Sequence, residues 1–176
     1  MTIKLTKFKD LKIFSFPVHK DKRGFFREIF KSNFLKNKNF IFTCVSSSRK
    51  NVLRGMHMQT KFPQGKYLSV LKGEIFDVVI DLRKKSKTFG KSFSIRLSEE
   101  NGKSIFIPPG FAHGFIGTKK ENIISYHCTN YRAKKYEIGI KWDDPSINIK
   151  WPKIKPIISN KDKKNISFKE YLKKNG

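Results

Sequence analysis

The sequence predicts an all-β protein, a barrel or sandwich of short strands, and three observations carry that reading. Short apolar runs recur along the 176 residues, clusters of turn residues separate them, and helical spacing is scarce. The runs fall at 11–16, 40–46, 66–71, 74–82, 93–97, 104–107, 113–116, 123–129 and 137–141. Between them stand Asp-Lys-Arg-Gly at 21–24, Lys72-Gly73, Glu-Glu-Asn-Gly at 99–102, Pro108-Pro109-Gly110 and Asp143-Asp144-Pro145. Glycine, proline and Asx residues of this kind interrupt regular structure and favour turns. Many short strands at regular spacing are the pattern of sandwiches and barrels. Within 76–81, Phe76, Val78 and Ile80 alternate with Asp77, Val79 and Asp81, a partial two-residue period suited to a strand.

Helices are expected only at the periphery, at 32–37 and 167–174. From Trp151 the composition changes to prolines (Pro152, Pro156) and then a Lys/Asn-rich run. The expectation is one domain over 1–176. Its core spans about 10–152, and 153–176 wraps the barrel and frays at its end.

Composition narrows the function. The net charge is +25, with 32 lysines and 7 arginines spread over the whole length. Such an excess attracts polyanions. No RNA-binding aromatic motif or zinc finger accompanies it, so nucleic acid is not the expected partner. The field suits a small polyanionic substrate better. Seventeen phenylalanines point to an aromatic core. Cys44 and Cys128 form no CxxC pair, which excludes a disulfide framework and a zinc knuckle and fits a reducing compartment. No apolar run approaches the roughly 18 residues of a membrane span. The opening MTIKLTKFKD has charges where a signal peptide is apolar. A cytoplasmic location is expected.

Two stretches concentrate polar groups in apolar surroundings: VLRGMHMQTKFPQGK (52–66) and GKSIFIPPGFAHGF (102–115). A few polar groups converging in an apolar cavity make a small-molecule site. The second stretch has the spacing G-x5-P-x-G-x2-H through Gly102, Pro108, Gly110 and His113. It resembles the second motif of the cupin jelly rolls, and that resemblance implies a cupin-like jelly-roll barrel. A metal is not implied. The first stretch offers His57-Met58-Gln59 with a single histidine, neither His19 nor His127 has ligand spacing, and a transition-metal site needs three or four protein ligands. Neutral histidine is the commonest general base near pH 7, which makes His57 a candidate. On a regular strand residues 55, 57 and 59 would share one side. His113 reads equally well as a buried structural histidine. Lys66, Arg23 and Arg54, each taken alone, read as solvated charges.

Taken together, the motifs resemble the dTDP-4-dehydrorhamnose 3,5-epimerase family over roughly 10–165. The pieces are DKRGFFRE (21–28), VLRGMHMQ (52–59), QGK (64–66), GEIFDVVIDLRKKSKTFG (73–90), LSEEN (97–101), IPPGFAHGF (107–115), YHCTNY (126–131), GIKWDDP (139–145), IKWP (149–152) and SNKD (159–162). The resemblance implies a dimer without cofactor. Its substrate class is a nucleotide diphosphate 4-keto sugar, whose C3 and C5 protons are acidified by the C4 ketone. By resemblance His57 is the base and Asp162 its carboxylate partner. Lys66 sits by the C4 oxygen, and Tyr126 is the opposing acid. Arg54 contacts the diphosphate, and Gln59, His113 and Tyr131 line the substrate site. Arg23, Phe26 and Glu28 reach the neighbouring subunit's nucleotide. The pathway implied is deoxysugar synthesis for a surface polysaccharide.

The chain departs from the family pattern in places. Phe42 and Cys44 stand where relatives carry glutamine and asparagine, and Arg132 where many carry an aromatic. Three other readings stay open at this point. One is epimerisation at C3 only, or of another sugar nucleotide such as a GDP-4-keto-heptose. Another is a 3,4-ketoisomerase of the same fold. The last is a non-catalytic module that binds sugar nucleotides or nucleic acid.

Overall fold

The computed structural model describes residues 1–36 and 38–175. Among the described residues fourteen strands follow one another: β1 (Thr2–Leu5), β2 (Lys12–Ser15), β3 (His19–Asp21), β4 (Gly24–Phe26), β5 (Phe42–Arg49), β6 (Val52–Gln59), β7 (Lys66–Lys72), β8 (Glu74–Asp81), β9 (Ser92–Ser98), β10 (Lys103–Ile107), β11 (Phe111–Gly117), β12 (Glu121–Cys128), β13 (Glu137–Gly139) and β14 (Ile157–Ile158). A single α-helix among the described residues, α1 (Phe168–Asn175), closes the chain.

Two sheets form the barrel. One has the order β1-β2-β10-β7-β12-β5, the other β13-β6-β11-β8-β9 with β14 added to β6. The predicted class, an all-β cupin-like jelly roll, is the observed one.

The strand period explains how the sheets meet. Ile75 and Val79 of β8 and Phe111 and Phe115 of β11 join Leu68, Val70, Ile105 and Ile124 of the opposing sheet in one core. The even residues of β8, Val78 and Ile80, face outward instead. There they are covered by Ile140, Ile147 and the helix residues Phe168 and Tyr171. Successive side chains point to opposite faces, so a strand apolar on both has two cores to fill. The other sheet turns Phe14, Tyr67 and Phe106 outward against Leu35, Phe30, Phe34 and Phe40. Thirteen of the seventeen phenylalanines thus serve three apolar layers rather than one.

Some expectations need correction. The helix expected at 32–37 is a single 3-10 turn at Ser32–Leu35, and Asn37 lies outside the described residues. The segment 168–175 is not a frayed end: Phe168 and Tyr171 are buried, and docking holds the helix. Strands β1, β3 and β4 were not expected, being only three or four residues long, and all three are exposed along their length.

Candidate active site

A cavity of about 760 Å³ opens at one end of the barrel. It is lined by His57, Lys66, Tyr126, Asp162, Arg54, Gln59 and His113, which come from β6, β7, β11, β12 and the turn after β14. Seven of the eleven residues singled out from the sequence therefore share one hollow.

The geometry of β6 differs from the regular strand expected for it. His113 on β11 pairs with His57, and Phe115 pairs with Arg54. Two residues on β11 therefore span three on β6, which is a β-bulge. The bulge resets the phase, so Arg54 and His57 both line the cavity, whereas strict alternation would have chosen residue 55. Gly55 makes the bulge possible. Its φ is +130°, and a Cβ there would stand 2.5 Å from Cα of Gly114. The Asp162–Asn165 turn pins Gly55 through both of its peptide groups. Asp162 Oδ2 accepts from the Gly55 N–H at 3.3 Å, and Asn165 Nδ2 donates to the Gly55 carbonyl at 3.0 Å.

That turn also completes a histidine–carboxylate pair. His57 Nε2 lies 2.6 Å from Asp162 Oδ1. An ionised carboxylate can only accept, so Nε2 carries the hydrogen and Nδ1 the lone pair. Burial lowers the pKa of His57, against the pull of Asp162, so the ring is neutral near pH 7. Nδ1 is 3.6 Å from Glu137 Oε1, too far for a hydrogen bond. Glu137 itself is pushed up by burial but held more strongly down, to about 2, by hydrogen bonds from Arg132 and Lys161.

Lys66 is the other notable charge. Burial lowers its pKa, and among the described residues no carboxylate comes within ion-pair distance of it. An ammonium without a counter-ion in a desolvated hollow stabilises a negative oxygen far more than the same group in water. Arg54 is likewise free of carboxylates and is held by Ser48 Oγ at 2.9 Å and the Ser47 carbonyl at 3.0 Å. Tyr126 exchanges a hydrogen bond with Ser46 Oγ at 3.0 Å, and burial raises its pKa. The phenol therefore keeps its proton near neutrality. His113 is 2.6 Å from Asp77 Oδ2 and buried.

Other expected residues stand elsewhere. Gln59 reaches the cavity, but its amide holds the neighbouring loop: Nε2 donates to the Phe62 and Tyr131 carbonyls, and Oε1 accepts from the Ala133 N–H. Tyr131 stacks on the cavity residue Phe42, with centroids 5.6 Å apart. Arg23, paired with Asp21, Glu28, paired with Lys31, and the exposed Phe26 are not brought to this chain's cavity. Sequence reasoning missed Glu137 and Lys161, which β13 and the turn after β14 carry to the rim. It also missed Asp77 as the partner of His113, because the alternation set Asp77 opposite the apolar Phe76, Val78 and Ile80, whereas the structure turns Asp77 inward with Ile75 and Val79. No cluster of three His, Cys, Asp or Glu side chains suited to a metal occurs among the described residues.

The comparisons with known proteins converge on one group. The family model for dTDP-4-dehydrorhamnose 3,5-epimerase matches residues 5–170. The chain belongs to the dTDP-4-dehydrorhamnose 3,5-epimerase family. It is 48% identical over 140 residues to the enzyme of that name from Methanothermobacter thermautotrophicus, covering 77% of this chain and 75% of the relative. To that from Shigella flexneri it is 42% identical over 168 residues, covering 92% and 93%. The crystal structure of the dTDP-6-deoxy-D-glucose-3,5-epimerase from Legionella pneumophila in complex with dTDP-4-keto-L-rhamnose superposes with a TM-score of 0.89 at 38% identity, covering 94% of this chain and 92% of that one. The departures at Phe42, Cys44 and Arg132 all fall on the cavity wall of this family member.

Proposed function

We propose that this protein is an isomerase that epimerises a dTDP-linked 4-keto-6-deoxyhexose at C3 and C5. One observation carries the reading: the His57–Asp162 pair, the carboxylate-free ammonium of Lys66 and the protonated phenol of Tyr126 line one cavity. A carbon acid next to a ketone needs these three functions. His57 Nδ1 removes the proton alpha to the C4 carbonyl, and Asp162 holds the ring and stabilises the imidazolium. Lys66 stabilises the enolate oxygen, and Tyr126 returns a proton from the opposite face, inverting the carbon. The same set repeats the cycle at the second carbon after exchanging protons with water. Arg54 takes the diphosphate, for which an arginine fork is suited. His113 supports the sugar pocket through its bond to Asp77.

The working unit we infer is a homodimer in the cytoplasm, serving deoxysugar synthesis for a surface polysaccharide. Phe25, Phe26 and Val45 support the dimer, because each is a large apolar side chain left exposed on one chain. Arg23, Phe26 and Glu28 then complete the partner's nucleotide site. No helix among the described residues is long and apolar enough to cross a membrane.

The test is product analysis by NMR in D2O with dTDP-4-keto-6-deoxyglucose. Deuterium and inversion at both C3 and C5 are expected. Exchange at C3 alone makes the protein a mono-epimerase. A ketone moved to C3 makes it a ketoisomerase. No change with this or a GDP-linked 4-keto sugar leaves only a binding role.

A further inference from the structure

Glu137 sits between two kinds of partner. Its carboxylate accepts from Arg132 Nη2 at 2.8 Å and from Lys161 Nζ at 2.9 Å, while His57 Nδ1 waits at 3.6 Å from the same Oε1 that Lys161 holds. The carboxylate side chain is only 12% exposed, whereas those of Arg132 and Lys161 are 61% and 49% exposed. The carboxylate is therefore enclosed within a small rotation of the imidazole, and the two cations extend from it into solvent. All three line the cavity with Arg54. We propose that Glu137 is a positioning residue that couples diphosphate binding to the base: a diphosphate in this cavity draws Arg132 and Lys161 off the carboxylate, and Glu137 turns to the imidazole of His57.

The inference rests on the reading that a sugar diphosphate occupies this cavity. Phosphate oxygens bind a guanidinium in a two-pronged, charge-assisted contact and compete well for exposed cations. Glu137 is left as an unpaired, largely buried anion, which is costly unless a new partner is found. The nearest donor is the Nδ1–H that His57 acquires when it takes a proton from carbon. The other charged or titratable groups around the imidazole leave this outcome open. Asp162 is already committed to Nε2, and His113 is committed to Asp77. Lys161 and Arg132 are the cations that leave. Arg54 lies on the serines, and Lys66 is the remaining cavity cation. The device makes His57 a stronger base only when the phosphate end of the substrate is in place.

The test uses the whole protein, with the four histidine rings followed by NMR over pH, without and with inorganic pyrophosphate. Pyrophosphate is expected to raise the His57 midpoint by roughly half a pH unit or more in the wild type. In Glu137→Gln only the direct field of the anion remains, and the shift should fall to less than about half of that. The exposed Arg132→Ala change poses no threat to folding. It should raise the midpoint without pyrophosphate and shrink the response to it. Equal shifts in wild type and Glu137→Gln overturn the inference, as do an unmoved midpoint in Arg132→Ala and pyrophosphate that does not bind. Because the readout is a ring titration, these failures are distinct from a failure to epimerise.

Discussion

Two histidine–aspartate pairs lie side by side in this barrel in different surroundings. His57 and His113 are register partners on β6 and β11, and each places Nε2 2.6 Å from a carboxylate. His113 with Asp77 is enclosed, at 6% and 0% exposure. His57 is 22% exposed, and its second nitrogen opens on the cavity beside Glu137. The difference arises from the backbone. Asp77 belongs to the central strand β8, packed on both faces, whereas Asp162 comes from a late turn that β14 lays along the sheet edge. The carboxylate orients the ring in both pairs, and access to the free nitrogen decides which ring can act as a base.

Substitutions sharpen that contrast in decreasing order. His57→Ala should lower the rate of solvent exchange at C3 and C5 by about 10²–10⁴-fold with the fold intact by circular dichroism. Retention of more than a tenth of the rate would transfer the base to another group. Lys66→Met should cost about 10²–10³-fold in kcat, the usual loss on removing one stabilising group from an oxyanion; an effect confined to KM would make Lys66 a binding residue only. Asp77→Asn should act on the other pair, lowering unfolding free energy in urea by about 1–3 kcal/mol, because the buried His113 exchanges a charged acceptor for a neutral amide. The acid limb of the rate profile should stay where it is. A displaced limb would mean that the enclosed pair takes part in proton transfer.

The pH profile gives a smaller test. His57 must be neutral to accept a proton, and burial sets its pKa below the ordinary 6.5. Activity should therefore persist below that value and fall as the pH drops through the lowered pKa. Lys66 must be charged, and burial lowers it from 10.5, so activity should fall on the alkaline side before that value is reached. An acid limb above 6.5 in kcat/KM would contradict the assignment of His57.

The fold was largely legible because its strands are short apolar runs bounded by glycine, proline and Asx turns. β1, β3 and β4 were not, because three or four exposed residues held by backbone pairing are too few to show a period. In the site, His57 was a candidate base in its own right, and Lys66, Tyr126 and Asp162 were found through the resemblance. Arg54 was recognised, but its cavity-facing position depends on a bulge that only Gly55 inside an otherwise apolar strand hinted at. Glu137 and Lys161 could not be read. No local spacing marks them, and they reach His57 only because β13 and β14 both dock on β6.

The most direct measurement is the rate of deuterium uptake from D2O into the C3 and C5 positions of dTDP-4-keto-6-deoxyglucose, compared between wild type and His57→Ala at neutral pH. Uptake at both carbons in the wild type and its near-complete loss in the variant is the expected result. Undiminished uptake in the variant would contradict proton abstraction by the imidazole that Asp162 holds.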